Sequence, residues 1–551
     1  MPVETSLKEA PKYIFVVGGV LSGLGKGVVT ASVGLLLKSC GYKVNLFKID
    51  PYLNVDAGTM RPAEHGEVFV TDDGGEIDQD LGNYERFLNQ SFSKDNNLTS
   101  GKIYQTIINN ERSFKYEGRD VEMIPDVPNE IKRRFYEGEN GFDFVVVEVG
   151  GTTGDIENLP FLYAAREMSR ERRALYILVS YVPFLRNVGE LKTKPTQHAV
   201  SYLRSTGINP DILITRDEVP LDEPRRETLA KRCFLDSDAV FDDPDLDLIY
   251  KLPVNLDSAG LTKKILSKFN LSTTEPNLKD WSQFIKNLET AEKEVNIALV
   301  GKYVKHGQAA HKDVYISVLE ALRHAAAFNK VKLNVISIDS NESTNGDMVK
   351  RKFDGVVIPQ GWGSRGTEGK IEAIKFAREN KIPYLGLCFG MQMAVVEYAR
   401  NVCGLIGANS EEVDPETSHP VIHIMPDQKE YLAKKQYGGT IRLGAWPAIL
   451  TKGTVIEEAY QNLGGVIINN SISERHRHRY EVNNEYRQIL EAKGLIVGAA
   501  SPDSKLVEAI ELPRSIHPFF VGTQFHPEYK SRPLSPHPLF VAFVKACLRN
   551  R

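Results

Sequence analysis

Residues 13–39 read YIFVVGGVLSGLGKGVVTASVGLLLKS, and the order of features within them decides the fold. An apolar, β-branched run (13–18) enters a glycine-rich turn, Gly18 to Gly27, which opens directly onto a helix-like run. Successive backbone N–H groups at a helix N-terminus converge on an anion, and glycines let the chain come close to it. A strand, a phosphate turn and a helix in that order mark the first βα unit of a parallel sheet. The turn departs from the common phosphate loop, because Gly27 follows Lys26 where Ser or Thr is usual, and five residues separate Gly19 from Gly25. The hydroxyl that ordinarily holds Mg²⁺ is missing, so carboxylates elsewhere must hold the ion if a metal-bound triphosphate is used.

Further runs of the same kind follow: KVNLFKID (43–50), DFVVVEV (143–149), ALYILVSYV (174–182) and DILIT (211–215), separated by amphipathic stretches. That alternation predicts a mainly parallel sheet covered by helices. Ligands of such sheets lie beyond the carboxyl ends of the strands, where Lys48 and Glu148 fall. Lys48 is a suitable cation for phosphoryl charge. Metal ligands are offered by Glu148, Asp155 and Glu157 and by an acidic stretch holding Asp72, Asp73, Glu76, Asp78 and Asp80, although five acids in nine residues also suit a solvated loop. In GELKTKPTQH (189–198) Lys192 and Lys194 repel unless they share an anion, so the run reads as a second phosphate-binding segment or as an exposed basic turn.

Around 272–295 the pattern turns polar, and the spacing of Trp281, Phe284, Ile285 and Leu288 predicts one amphipathic helix. Buried-strand runs resume with NIALVGKY, KLNVISID, DGVVIP and PYLGLC. We therefore expect two doubly wound α/β domains, residues 1–271 and 296–551, joined by a linker helix in 272–295. In the second, Gly386-Leu387-Cys388-Phe389-Gly390 has the form of a tight strand-to-helix elbow that exposes a nucleophile. His526 and Glu528 share an apolar segment at a spacing that lets the acid orient the imidazole. A thiolate so placed attacks a carboxamide carbon, His526 protonates the departing ammonia, and N–H groups near Gly361 and Phe389 hold the oxyanion. A buried structural cysteine is the plainer alternative, and ERHRHR (474–479) reads on its own as a solvated loop.

The 551 residues exceed what one core usually serves. Lysine and arginine number 68 against 72 acids, a net charge of −4, with no basic run to track nucleic acid. The five scattered cysteines lack C-x-x-C spacing, which argues against a disulfide framework or structural zinc. MPVETSLKEAPK has no apolar signal core, and no run approaches the roughly 20 apolar residues of a membrane helix, so a cytoplasmic protein is expected.

Taken together, GGVLSGLGKG, KIDPYLNVDAGTM, HGEVFV, DLGNYERF, VEVGGTTGDIE, GELKTKPTQH, YLGLCFGMQ, GGTIRLG, ERHRHRYEVNN and QFHPE resemble the CTP synthase family through nearly the whole chain. The resemblance implies a phosphate-loop synthetase fused to a class I glutamine amidotransferase. ATP and Mg²⁺ would phosphorylate the 4-oxygen of UTP, and ammonia from glutamine, channelled between the domains, would displace the phosphate to give CTP. It implies ATP contacts from Gly23, Leu24, Gly25, Lys26, Gly27 and Val28 and from the adenine-contacting segment Pro244, Asp245 and Leu246. Lys26 and Lys48 would touch transferring phosphates, and Asp80, also assigned to ATP, and Glu148 would bind magnesium. Ser22, Asp155, Ile156 and Glu157 would serve UTP or CTP, and Lys192, Thr193, Lys194, Pro195, Thr196 and Gln197 would hold its triphosphate. For glutamine the resemblance implies Gly361, Phe389, Gly390, Met391, Gln392, Glu412 and Arg479, with Cys388, His526 and Glu528 as the triad. His65 resembles a residue near the ammonia path. GTP activation, CTP feedback inhibition, a homotetramer and filaments complete the family expectation.

Three departures stand out. The family's lysine ahead of Cys233 is Thr228, in the UTP/CTP region, with Arg225, Arg226 or Lys231 as substitutes. SFKYEG (113–118) replaces GDYLG, and Asp126 stands where the family has histidine. The oxyanion loop is PQGWG in place of PGGFG, which introduces Gln360 and Trp362. Two competing readings share these features: another phosphate-loop amidotransferase of the cobyric-acid type, and a nucleotide-binding structural or regulatory paralogue without turnover.

Overall fold

The computed structural model describes residues 10–302, 312–341, 352–425, 428 and 441–549. Gly438, Gly439 and Thr440 of the GGTIRLG motif, Tyr303 of NIALVGKY and the N-terminal nine residues lie outside them. The chain forms two compact units, Met1–Asp56 with Asn83–Ser282, and Ala57–Gly82 with Gln283–Arg551.

The main sheet of the first unit has, among the described residues, seven strands: β1 (Lys12–Gly19), β2 (Val44–Asp50), β3 (Asn97–Thr99), β4 (Phe144–Val149), β5 (Ala174–Tyr181), β6 (Ile212–Asp217) and β7 (Val240–Pro244). Every pairing is parallel, in the order β7-β6-β5-β1-β4-β2-β3. β1, β2 and β4 are buried at every residue, which is why their sequences are continuous apolar runs without alternation. The helix after the phosphate turn spans Lys26–Ser39.

The main sheet of the second unit has, among the described residues, nine strands: β8 (Lys293–Gly301), β9 (Val331–Asp339), β10 (Gly355–Ile358), β11 (Tyr384–Leu387), β12 (Arg442–Leu450), β13 (Ser471–His478), β14 (Ile496–Ala500), β15 (Val507–Glu511) and β16 (Phe520–Thr523). Their order is β9-β8-β10-β11-β16-β15-β14-β12-β13. The sheet is parallel from β9 to β16 and antiparallel beyond. Successive residues such as Leu299 and Val300, or Phe520 and Val521, belong to different apolar clusters, so both faces of the sheet are covered.

The amphipathic helix predicted in 272–295 spans Lys279–Glu289, and the division between the units falls inside it. Trp281 is buried and donates Nε1–H to Tyr250 O at 2.7 Å in the first unit.

Two loop readings give way to structure. The stretch Glu474–His478 lies in β13 with Glu474, Arg475, His476 and His478 buried. The acidic stretch after residue 71 belongs to a hairpin of the second unit, Val68–Val70 against Glu76–Asp78. These two charged runs neutralise each other. Arg475 Nε donates to Asp72 Oδ1 at 2.7 Å, and Arg477 Nε donates to Glu76 Oε1 at 2.8 Å. Asp72 and Glu76, offered as metal ligands, are thus partners of arginines.

Candidate active sites

In the first unit the turn leaves β1 with Val20, Gly23 and Gly25 at φ 82, 75 and 80°. Ser22 and Gly23 are exposed and Leu24 is buried. Left-handed Gly25 precedes the helix, and no side chain caps its start, the arrangement that receives an anion. Buried Lys26 donates Nζ to Gly151 O at 2.8 Å. Its side chain crosses Gly18, where an added methyl would fall 2.6 Å from Nζ.

Lys48 and Glu148 are register partners across β2 and β4. Lys48 Nζ lies 2.9 Å from Glu148 Oε1 and 3.5 Å from Asp50 Oδ1, while Tyr84 donates its hydroxyl to Glu148 Oε2. Beyond β4, Asp155 accepts from Thr152 N at 2.6 Å and leads into the 3₁₀ turn Ile156–Asn158, with Ile156 and Glu157 exposed. Thr193 precedes the helix Lys194–Ser205, which has Pro195 in its first turn. Thr196 donates to Tyr181 O at 3.0 Å, and Gln197 Nε2 to Thr193 Oγ1 at 3.0 Å.

Lys192 pairs with Glu190, which also accepts from Arg225 at 3.1 Å. Thr228 turns its hydroxyl back to Pro224 O at 2.7 Å, and Arg226 is engaged with Val240 O and Asp242. Of the substitutes for the family's lysine, Arg225 is the one tied to Lys192 through a shared carboxylate.

Pro244 ends β7, and Arg216 pins the segment Pro244–Leu246, expected to contact adenine, by donating to Pro244 O and to Asp245 Oδ1, both at 2.8 Å; Leu246 is half-buried. Burial drives the neighbouring Asp217 up to about 7 and Asp243 up to about 6. No sequence pattern had singled out Arg216, Asp217 or Asp243.

Asp80 opens the helix Asp80–Leu88 and belongs to the second unit, whereas Glu148 belongs to the first. Among the described residues no group of three or more His, Cys, Asp or Glu could hold a metal. Mg²⁺ bound through one or two carboxylates plus phosphate and water needs no such group, and Glu148, a buried hard-oxygen donor beside Lys48, fits it chemically.

In the second unit β11 runs into the helix Phe389–Asn401 through Cys388, at φ 50° and ψ −101°. Methyls added at Gly386 or Gly390 would fall 2.3 Å from Tyr384 Oη or 2.1 Å from Ile358 O, so the elbow needs glycine at both places. Non-glycine residues are held at such dihedrals only by surroundings that over-determine them. Here Cys388 N donates to Thr523 O at 2.6 Å.

His526 Nδ1 lies 2.8 Å from Glu528 Oε1, with both residues buried. Burial alone would lower the imidazole, but the charges of Glu528 and Cys388 outweigh it and hold His526 up at about 10. One cleft is lined by Gly361, Cys388, Phe389, Gln392, Glu412, Arg479 and His526, together with Gln360, Trp362, Arg477, His478, Tyr480 and Tyr529. Gly390 and Met391 follow Phe389 in the helix and are buried, outside the cleft lining. Glu412, raised by burial, accepts from Gly363 N at 2.7 Å.

Two lysines that no pattern had marked hold the loop expected to supply oxyanion donors by its carbonyls. Lys302 Nζ donates to Trp362 O at 2.7 Å, and fully buried Lys370 donates to Pro359 O at 3.1 Å. Burial pulls Lys302 down to about 8. Gln360 Nε2 donates to Glu67 Oε1 at 3.1 Å, and the Arg477 guanidinium lies 5.6 Å over the Trp362 ring. Asp126 is a structural counter-ion: Arg119 holds its carboxyl below the usual range and donates to it at 3.0 Å, and Glu122 N donates to it at 2.8 Å. His65, exposed, follows the short helix start at Pro62.

The family model described as CTP synthase N-terminus matches residues 12–271, and that of glutamine amidotransferase class-I matches residues 310–546. The CTP synthase of Methanocaldococcus jannaschii is 50% identical over 551 residues, covering 98% of this chain and 99% of that protein. That of Caldanaerobacter subterraneus is 50% identical over 545 residues, 98% of each. A solved structure of the Trypanosoma brucei CTPS glutaminase domain with bound acivicin shares 37% identity over 46% of this chain and 94% of its own, with a TM-score of 0.41. With relatives of that name matched end to end and both family models in series, the chain belongs to the CTP synthase family of glutamine-dependent ligases.

Proposed function

We propose that the cleft around Cys388 hydrolyses glutamine and that the carboxyl end of the first sheet activates UTP. The observation that supports this reading most is the cleft itself, which gathers Cys388 on a strained elbow, His526 raised by its neighbours' charges, the loop residues Gln360, Gly361 and Trp362 and the buried acid Glu412. The Cys388 thiolate attacks the glutamine carboxamide carbon, and the N–H groups of Gly361 and Phe389 receive the oxyanion. His526 gives its proton to the departing ammonia, leaving a thioester that water, deprotonated by His526, cleaves to glutamate. Glu412 and Arg479 hold the amino and carboxylate ends of the substrate, with Gln392 and the backbone around Gly390 and Met391 shaping its seat.

In the first unit the turn at Gly23–Val28 cradles ATP, Lys26 and Lys48 neutralise the transferring phosphoryl group, and Pro244–Leu246 receive adenine. Ser22, Asp155–Glu157 and Lys192–Gln197 bind UTP or CTP, with Arg225 supplying the charge absent at Thr228. Glu148, with Asp80, would hold Mg²⁺, which supplies charge neutralisation at the phosphates. The γ-phosphoryl group passes to the UTP 4-oxygen, and ammonia then attacks C4 and expels phosphate. Ammonia must arrive unprotonated, since ammonium has no lone pair, so it is channelled, with His65 along the way. Residues 1–271 form the synthetase, 272–295 the linker and 296–551 the glutaminase. GTP activation, CTP feedback inhibition, a homotetramer, filaments and a cytoplasmic setting complete the reading; among the described residues no helix is long and apolar enough to cross a membrane.

The paired assay tests it. Cys388→Ala is expected to abolish CTP formation from glutamine, by a thousandfold or more on the order of a lost nucleophile, while synthesis from ammonia continues. Lys26→Ala is expected to stop both. Glutamine use by Cys388→Ala would defeat the glutaminase assignment, and ammonia use by Lys26→Ala the synthetase one.

A further inference from the structure

Gln524, two residues before His526, is buried at 1% exposure and takes no part in the chemistry set out above. Its side-chain Nε2 donates to Cys388 Sγ at 3.5 Å, a hydrogen-bond distance for sulfur. The orientation of that amide follows from its other end. Gln392 Nε2 donates to Tyr480 O at 2.9 Å and also to Gln524 Oε1 at 3.2 Å. A backbone carbonyl only accepts, so Gln392 must present its NH₂ there, Gln524 must meet it with its carbonyl, and the Gln524 NH₂ is left for the sulfur. The backbone fixes the root of the arrangement, because Gln524 N donates to Glu508 O at 2.8 Å and Cys388 N to Thr523 O at 2.6 Å.

The sulfur has reason to need this donor. As a thiol, Cys388 points its hydrogen toward Arg477 O at 3.9 Å. Once that proton is lost, the carbonyl faces an anion with nothing to share. An N–H bond to a charged acceptor is stronger than one to a neutral acceptor, so a fixed amide favours the thiolate over the thiol. The segment Gln524–His526 thus carries the amide that meets the sulfur and, on the other side of Phe525, the imidazole that shares the cleft with Cys388.

We propose that Gln524 is a nucleophile-holding residue of the glutaminase: oriented by Gln392, its amide donates to the Cys388 sulfur, favours the thiolate and fixes its direction of attack. This rests on the reading of Cys388 as the nucleophile.

The test is the rate at which iodoacetamide alkylates Cys388 in the full-length protein as a function of pH. It is read from the mass of the Cys388 peptide, so that Cys40, Cys233, Cys403 and Cys547 do not contribute. In Gln524→Met the midpoint of that profile is expected to rise by about one pH unit and the rate at pH 7 to fall about tenfold, the size of one hydrogen bond to a charged group. The kcat for glutamine should fall with it while KM changes little. Gln524→Glu, of the same shape but with an acceptor against the sulfur, should raise the midpoint further. Gln392→Met keeps Gln524 but frees its amide to turn, and should move the midpoint the same way by less, which covers the case where Gln524→Met does not fold. A folded Gln524→Met, or a Gln392→Met, with the wild-type profile overturns the proposal, since a residue that only fills the core changes stability and not the titration of sulfur. Failure of the underlying reading shows separately, as glutamine use by Cys388→Ala.

Discussion

His526 owes its charge to its neighbours, and that dependence sets a sign that can be measured. Its folded value stands at about 10 against an ordinary 6.5. A group raised in this way adds stability that is complete below the ordinary value and lost as pH climbs through the folded one. Glu528→Gln removes the larger of the two favourable charges. The gap in thermal midpoint between wild type and Glu528→Gln is therefore expected to be widest near pH 6 and to close toward pH 10; a gap that widens with pH would refute the assignment. Lys48 and Glu148 give a second case. Lys48→Met leaves a buried carboxylate without its lysine, at a cost of about 3–5 kcal/mol, whereas adding Glu148→Leu removes the stranded charge and should restore most of the stability. Denaturant midpoints check this, and CTP synthesis should stay absent in both variants. Side-chain identity told the sequence reader which chemistries were present, Cys388 with His526 above all. It did not reveal Gln524, quoted within QFHPE yet given no task, because an amide announces itself only when its hydrogen-bond partners are known.

The strand-to-helix turns carry the next prediction. Gly390 lies inside a helix, where alanine is ordinarily the better residue, yet a methyl there meets the backbone oxygen of Ile358 at 2.1 Å. Backbone cannot swing aside as a long side chain can, so Gly390→Ala should distort the elbow and cost both glutaminase activity and roughly 2–4 kcal/mol, within the range seen for overpacked cores. Gly23→Ala meets nothing within 4 Å and bears only a left-handed φ of 75°, so it should cost about 1–2 kcal/mol. Reversal of that ranking in urea denaturation would show that the close approach is not what demands glycine. The same two elements show why most strands were legible and some were not. β1, β2, β4 and β5 are buried on both faces and so read as unbroken apolar runs. β3 has three residues and β7 ends in Asp-Asp-Pro, too short or too acidic to show the pattern. ERHRHR, most of which lies in β13, reads on its own as a solvated loop because nothing in its letters says that Arg475 meets Asp72 or that Glu474 meets Tyr460 and His537.

Chain order and compact units disagree at one place, and a charge pair ties that place to the second unit. Residues 57–82 come from the front half of the sequence but fold with the back half. They bring Glu76 to Arg477, whose guanidinium lies over Trp362 at the cleft around Cys388, and Val68 O to the hydroxyl of Tyr529, which also lines it. No local pattern could show this, since the acidic and basic runs are some 400 positions apart and each, alone, suits a solvated loop. The Glu76 carboxylate is buried and its partner nearly so, with side-chain exposures of 2% and 12%. Glu76→Gln keeps the shape and removes the charge, leaving a largely buried guanidinium without its counter-ion, a loss of about 3 kcal/mol. That loss should fall on the second unit alone. Hydrogen exchange is expected to quicken about a hundredfold in peptides spanning Ser471–His478, by opening of β13, while peptides of β1 and β4 keep their rates. With Arg477 released, the cleft wall at Trp362 loosens, so KM for glutamine should rise about tenfold while CTP formation from ammonia holds. Unchanged exchange at β13 together with an unchanged KM would mean that the hairpin merely rests against the rest of the second unit; a change in β1 and β4 as well would mean that the loss is not local to β13.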